Sequence, residues 1–260
     1  MSILDELAQA ARERVRDNKA RKPEQTLAQE ALRLPRADFS FEHVLNAPGL
    51  SFICECKKAS PSKGLIAEDF PYVDIARSYE AGGAAAISVL TEPRWFLGQD
   101  AYLQEIADTV HIPVLRKDFT VDRYMIYEAR LLGASAVLLI VAILEQQELE
   151  DYLHCCDELG LSALVECHDE QEIDRALTAG ARIIGVNQRN LRDFTIDHDL
   201  GARLRDRIPA GICYVAESGI RDIADVRRAR DMGADAVLVG ETLMRAPDRT
   251  ATLQAWKKEL

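Results

Sequence analysis

No stretch of this chain is apolar for long enough to cross a bilayer. The longest such run, ASAVLLIVAIL at 134–144, falls well short of the ~20 residues that a membrane helix needs. The opening MSILDELAQA has no signal-peptide pattern, so no membrane partner and a cytoplasmic location are expected. Positive charge is scarce too. Lys and Arg number 32 against 43 Asp and Glu, a formal net charge of −11 at pH 7. That is the wrong sign for nucleic acid as a default partner, and an anionic ligand would need a local basic pocket. A disulfide framework is missing: Cys54, Cys56, Cys155, Cys156, Cys167 and Cys213 show no paired pattern and suit reduced, buried thiols. His154-Cys155-Cys156 and Cys167-His168 lack finger-like spacing, so no metal site is expected. Also absent is a G-x-G-x-x-G after the first strand-like run, which counts against a doubly wound open sheet.

What is present is a repeat. The chain is 48% hydrophobic, enough for a sizeable core and too much for disorder. From residue 50 onward, short aliphatic runs alternate with helical patterns, as in βα units. The strands are expected at 51–56, 84–90, 113–117, 135–141, 161–167, 182–187, 212–217 and 235–240. Several are introduced by one phrase, seen in GGAAAISVL, LGASAVLLI, AGARIIGVN and MGADAVLVG: a helix-ending glycine, a tight turn and an aliphatic run. Between them VDIARSYEA, DRYMIYEARLL and IADVRRARDM carry apolar stripes of helical period. Eight such units in about 210 residues predict an α/β fold, a (β/α)₈ TIM barrel, whose usual size is ~250 residues. Residues 1–49 lie outside the repeat and read as an N-terminal helical extension of a single domain, 1–260. Ile3, Leu4, Leu7, Ala8, Ala11 and Val15 give its first helix a stripe ended near Lys22-Pro23, and Thr26 with Gln29 resembles a capping box for a second. The extension is expected to pack on the barrel, covering one mouth.

The stretch SFICECKKASPSKG at 51–64 begins as a buried strand yet holds Glu55, Lys57 and Lys58. Unpaired charge is costly inside a strand, but barrel strands end at a wet mouth where active sites gather. By parity Glu55 and Lys57 point one way, and Cys54 and Cys56 the other. Leu115, Lys117 and Phe119 share a face in PVLRKDF, as do Leu164 and Glu166 in SALVECHD, and Gly185, Asn187 and Arg189 in IIGVNQRN. Four strands therefore deliver ionisable or amide groups at one level. The seventh and eighth strands end in AESGI and LVGET. Loops at these positions often bind phosphate through backbone N–H groups and a helix N-terminus, a role that suits Ser218, Gly219 and Gly240.

These segments resemble the indole-3-glycerol-phosphate synthase family, a group of barrel enzymes of tryptophan biosynthesis. ECKKASPSKG, SVLTEPRWFLG, VLRKDF, LVECHD, GVNQRNL and AESGI appear in the same order, and the likeness spans essentially the whole chain. It implies a carboxy-lyase that closes the ring of 1-(2-carboxyphenylamino)-1-deoxyribulose 5-phosphate to give indole-3-glycerol phosphate, CO₂ and water. A phosphorylated small molecule is then the partner, no cofactor is required, and a monomer is expected. The resemblance implies that Lys117 is the acid for the ribulose carbonyl and that Lys57 contacts the substrate carboxylate and serves in dehydration. Glu55 and Glu166 would stabilise the cation or accept a proton. Asn187 and Ser218 would complete the catalytic set, with Asn187, Arg189 and Ser60 holding carboxylate and hydroxyls. Phe96, Phe119 and Leu191 would pack on the aromatic ring. Ser218, Gly219, Gly240 and the backbone of Glu241 would bind phosphate, with the Glu241 carboxylate turned away from the anion. The rival enzyme, a phosphoribosylanthranilate isomerase, needs a cysteine base and an aspartate acid at strand ends, whereas Cys54 and Cys56 face outward by parity. A non-catalytic barrel scaffold would leave gaps in the ionisable set.

Overall fold

The computed structural model of the chain describes residues 3–190 and 194–260. Eight parallel strands close into a barrel: β1 (Ser51–Cys56), β2 (Ala86–Leu90), β3 (Val114–Lys117), β4 (Ala136–Ile140), β5 (Ser162–Cys167), β6 (Ile183–Asn187), β7 (Cys213–Glu217) and β8 (Ala236–Val239). Each pairs with its neighbours in sequence, and β8 returns to β1 through Ser51–Ala236 to Cys54–Val239. The first strand has the expected bounds; the others are a residue or two shorter, because the turns leading into and out of them occupy the ends. Those turns use glycine for its conformation: Gly83 and Gly160 close their helices at φ 88° and 73°, a region costly for residues with a Cβ.

The alternation of strand side chains splits the core into two layers. Ile53, Leu115, Leu138, Leu164, Ile183, Val215 and Leu238 fill the lumen. Cys54, Cys56, Ile87, Val137, Val165, Ile184, Tyr214 and Val237 point outward against the helices. Glu55 therefore shares the lumenal face with Ile53, and both cysteines of β1 lie on the outer layer.

The extension reaches both ends of the barrel. Helix α1 (Ile3–Arg21) stops just before Lys22-Pro23 and places Ile3, Leu4 and Leu7 beside the cavity at the C-terminal ends of the strands. Helix α2 (Glu24–Arg33) begins two residues earlier than the proposed capping box, with Pro23 as its N-cap and no side-chain cap; Thr26 and Gln29 lie within it. The Pro23 carbonyl accepts the N–H groups of Thr26 and Leu27 at 3.0 and 3.1 Å, and a proline at a helix start has no N–H of its own to satisfy. A third helix, α3 (Ser40–Leu45), was not expected. It plugs the opposite mouth, with Phe41 and Leu45 fully buried among the lumenal side chains. Each such side chain contributes ~1.5–3 kcal/mol by leaving water. Between α2 and α3 the chain runs against the barrel, where Ala37 and Phe39 donate N–H bonds of 3.0 Å to Leu159 and Gly160 carbonyls. A Cβ on Gly160 would lie 1.9 Å from the Ala37 carbonyl oxygen, so this docking requires glycine.

Candidate active site

The strand ends open into a cavity of about 550 Å³. Glu55, Lys57, Lys117, Glu166, Asn187, Arg189, Ser60, Phe96, Phe119, Ser218, Gly219, Gly240 and Glu241 all line it. Leu191 lies outside the described residues. One site thus gathers groups from seven strands and their loops, and Glu55, Lys117, Glu166 and Asn187 reach it because they hold the lumenal phase at the ends of their strands.

At the floor, Lys117 Nζ sits 3.4 Å from Glu166 Oε2 and 3.6 Å from Glu217 Oε2. Burial alone would lower the lysine pKa, but Glu166, Glu217 and Glu55 outweigh it and hold Lys117 above the ordinary range. The competition between neighbouring cations and carboxylates is therefore won by the carboxylates. Beside this group Lys57 forms a tight ion pair with Glu55, whose other oxygen accepts from Ser88 Oγ at 3.4 Å. Burial would raise the Glu55 pKa, yet Lys57 and Lys117 leave it lowered. Gly240 makes room for that pair, since a Cβ there would fall 2.5 Å from Glu55 Oε2 and 3.0 Å from Lys57 Nζ.

Glu217 was missed in the sequence, although it ends β7 with lumenal parity, as Glu166 ends β5. Its Oε1 is buried without a hydrogen-bond partner, and it occupies space left by Gly185, where a Cβ would be 2.0 Å away. Burial, with the negative charge of Glu166, pushes its pKa up to about 8 despite Lys117. Glu166 is shifted the other way: burial opposes ionisation, but Lys117, His168 and Asn187 more than compensate. Two facing carboxyls with opposite shifts share a proton that rests on Glu217. A group with its folded value raised in this way costs stability progressively as pH climbs from the usual carboxylate range to about 8. Glu217→Gln should therefore raise Tm at pH 8.5, by ~2–4 °C for each kcal/mol recovered, and change it little at pH 4.5. Calorimetry at both pH values checks this; an equal or smaller gain at pH 8.5 contradicts it.

The walls come from loops with their own internal ties. Glu92 accepts N–H bonds from Arg94, Trp95 and Phe96 at 2.8, 2.8 and 3.0 Å, which holds Phe96 toward Phe119, ring centroids 6.1 Å apart. Asp118, next to Lys117, accepts from Arg14 of α1 at 2.7 Å and from its neighbour's Phe119 N–H at 2.8 Å. This ion pair, buried at its carboxylate, ties the extension to the strand that carries Lys117. Asn187 Oδ1 accepts from Ser218 Oγ at 2.8 Å and from Arg189 N–H at 3.0 Å, linking the ends of β6 and β7.

Ser218 and Gly219 are both left-handed, at φ 66° and 78°. Successive backbone N–H groups in such a turn converge on a concavity that favours anions. The helix Glu241–Arg245 starts at Gly240 on the same side. Glu241 directs its carboxylate to Arg245, 3.1 Å away, and Lys63, 3.7 Å away. Among the described residues no group of three or more His, Cys, Asp or Glu side chains is arranged to hold a metal ion, and no helix is long and apolar enough to cross a membrane.

The family model for indole-3-glycerol phosphate synthase matches residues 4–256. The chain is 53% identical over 252 residues to the indole-3-glycerol phosphate synthase of Ruminiclostridium cellulolyticum, covering 96% of this chain and 97% of that one. Identity to the enzyme of the same name from Lachnoclostridium phytofermentans is 47%, with 99% and 100% covered. Among solved structures, an orotidine 5'-phosphate decarboxylase from Pyrococcus horikoshii superposes with TM-score 0.62 at 15% identity, covering 80% of this chain and 98% of that one. A thiamine phosphate pyrophosphorylase from Pyrococcus furiosus does so with TM-score 0.61 at 17% identity, covering 84% and 96%. These distant likenesses show the barrel fold alone. The matched segment runs from α1 past the last barrel strand, and the chain belongs to the indole-3-glycerol phosphate synthase family.

Proposed function

We propose that the cavity at the strand ends carries out the family's ring closure with Lys117 as its central acid. The chain is an indole-3-glycerol phosphate synthase. It converts 1-(2-carboxyphenylamino)-1-deoxyribulose 5-phosphate to indole-3-glycerol phosphate with loss of CO₂ and water. The single observation that carries the assignment of roles is the position of Lys117, buried among three lumenal carboxylates and open to the cavity. The ring carbon bearing the carboxylate attacks the ribulose carbonyl, and the carbonyl oxygen becomes basic as it does so. Lys117 is fully protonated at neutral pH and delivers its proton to that oxygen. The ring cation so formed is stabilised electrostatically by Glu55 and Glu166, and release of CO₂ returns the electron pair to the ring. Lys57 contacts the substrate carboxylate and then protonates the departing hydroxyl, while a lumenal carboxylate accepts the carbon-bound proton whose loss completes dehydration. Asn187, Arg189 and Ser60 orient carboxylate and hydroxyls, and Phe96 and Phe119 flank the ring. Glu217 holds the further proton that keeps the floor from carrying three negative charges.

Phosphate is assigned to the turn at Ser218-Gly219 and the helix start at Gly240-Glu241, four residues that line the same cavity. Extension and barrel act as one unit in this reading, the whole set coming from one chain, so a monomer suffices. Six buried, unpaired thiols suit a reducing compartment such as the cytoplasm. The test is kinetic. Purified chain should form indole-3-glycerol phosphate, with inorganic phosphate a competitive inhibitor. Gly219→Ala should chiefly raise KM, because close backbone approach is lost. Gly240→Ala should also lower kcat, since its methyl group would displace Glu55 and Lys57. Phosphate that fails to compete, or a Gly219→Ala enzyme with parental KM, would move the anion site elsewhere.

A further inference from the structure

We propose that His168 is a positioning residue that bridges Glu166 to Glu172 as an imidazolium, holding Glu166 as the carboxylate and leaving the shared proton to Glu217. The inference deepens the reading above and rests on Glu166 taking part in the reaction. His168 follows the end of β5, and its side chain is only 18% exposed. Nδ1 lies 3.0 Å from Glu172 Oε2, and Nε2 lies 3.4 Å from Glu166 Oε1. The ring thus spans two carboxylates, one at the floor of the cavity and one on the helix Glu170–Thr178.

Glu172 is itself fixed. Its Oε2 also accepts the His168 backbone N–H at 2.7 Å, and its own N–H donates to the N-cap Asp169 at 2.8 Å. A carboxylate in the first turn of a helix is further favoured by the helix dipole. Nε2 is buried with no hydrogen bond of its own and meets Glu166 as a close ionic contact. A neutral imidazole has one donor nitrogen, and only the cation presents an N–H to both carboxylates at once. Burial would favour the neutral ring, but Glu166 and Glu172 outweigh it and raise the His168 pKa to about 10.

The consequence appears on the far side of Glu166. Lys117 lies at similar distances from Glu166 and Glu217, 3.4 and 3.6 Å, so the lysine does not by itself decide which carboxyl is protonated. Asn187 favours Glu166, and His168 adds a full positive charge on Glu166 alone. Glu217 has no such partner, with one oxygen unbonded. The groups facing the pair are then Lys117, Asn187, His168, Glu55, whose negative charge also favours the proton on Glu217, and, through His168, Glu172.

The experiment combines ¹⁵N-histidine NMR with pH–rate profiles. The His168 ring, assigned by its absence in His168→Asn, should remain imidazolium in the parent at pH 8 and titrate at lower pH in Glu172→Gln. His168→Asn should lower kcat ~10-fold with KM changed less than ~3-fold, and raise the acid limb of the kcat profile by about one pH unit as Glu166 becomes easier to protonate. His168→Lys, which restores the charge, should recover part of the loss. A parental ring that titrates near the ordinary histidine value overturns the proposal, even if His168→Asn fails to fold. So does a His168→Asn enzyme with parental kcat and acid limb, provided Glu166→Gln is crippled. If Glu166→Gln also turns over normally, it is the underlying role of Glu166 that fails.

Discussion

Lys117→Met should retain substrate binding and lose turnover, with kcat lower by ~10²–10⁴-fold, the span expected for a general acid. Methionine keeps much of the aliphatic packing of the stem but carries no proton. Phosphate and carboxylate contacts lie on other residues, so KM should move far less. Loss of an interaction made chiefly in the transition state gives this split, whereas loss of uniform binding raises KM alone. The substitution also leaves Glu55, Glu166 and Glu217 facing one another without the central cation. They should respond by taking up protons, because buried unpaired charge is costly. Circular dichroism and a melting curve must accordingly accompany the kinetics. A stably folded Lys117→Met enzyme within a few-fold of the parent would leave Lys57 as the better candidate for the acid.

Removal of α1 and α2, residues 1–33, should be nearly as damaging while leaving the barrel closed. The cut spares the docked segment at Ala37 and Phe39 and the α3 plug with Phe41 and Leu45. It removes Ile3, Leu4 and Leu7 from the cavity wall and Arg14 from buried Asp118. Asp118 then keeps Thr91 and its neighbour's N–H as hydrogen-bond partners, with Arg116 as the remaining nearby cation, at the residue next to Lys117. A shift of about 1 Å at the reacting groups can cost ~10²-fold, and kcat/KM should fall by that order. Parental kinetics from a folded truncation would make the extension a packing element only.

Much of this site was legible from strand parity. Glu55, Lys57, Lys117, Glu166 and Asn187 were found because a period of two fixes which face each side chain takes. The same rule applied to CYVAE would have found Glu217, which the neighbouring Ser-Gly turn obscured. Other features had no signal along the chain. Gly185 and Gly240 are small because Glu217 and Glu55 with Lys57 occupy the space beside them, contacts between residues tens of positions apart or more. Helix α3 has six residues and follows a left-handed Phe39, too short for helical periodicity to show. The start of α2 was misread because Thr26 and Gln29 have capping-box spacing, yet Pro23 opens the helix ahead of them. His168 stood out in the sequence only as half of a Cys-His pair without metal-site spacing, since the carboxylate it approaches across the strand end becomes visible only in three dimensions.

The most direct measurement is a single turnover in rapid quench, with parent or Lys117→Met in excess over 1-(2-carboxyphenylamino)-1-deoxyribulose 5-phosphate. Released CO₂ and indole-3-glycerol phosphate are counted in each quenched sample, free of any limit set by product release. The parent should yield both in equal amounts, while Lys117→Met should hold its substrate bound with CO₂ release slowed by ~10²-fold or more. Release of CO₂ from the methionine enzyme at the parental rate would mean that the carbonyl is attacked without a proton from Lys117.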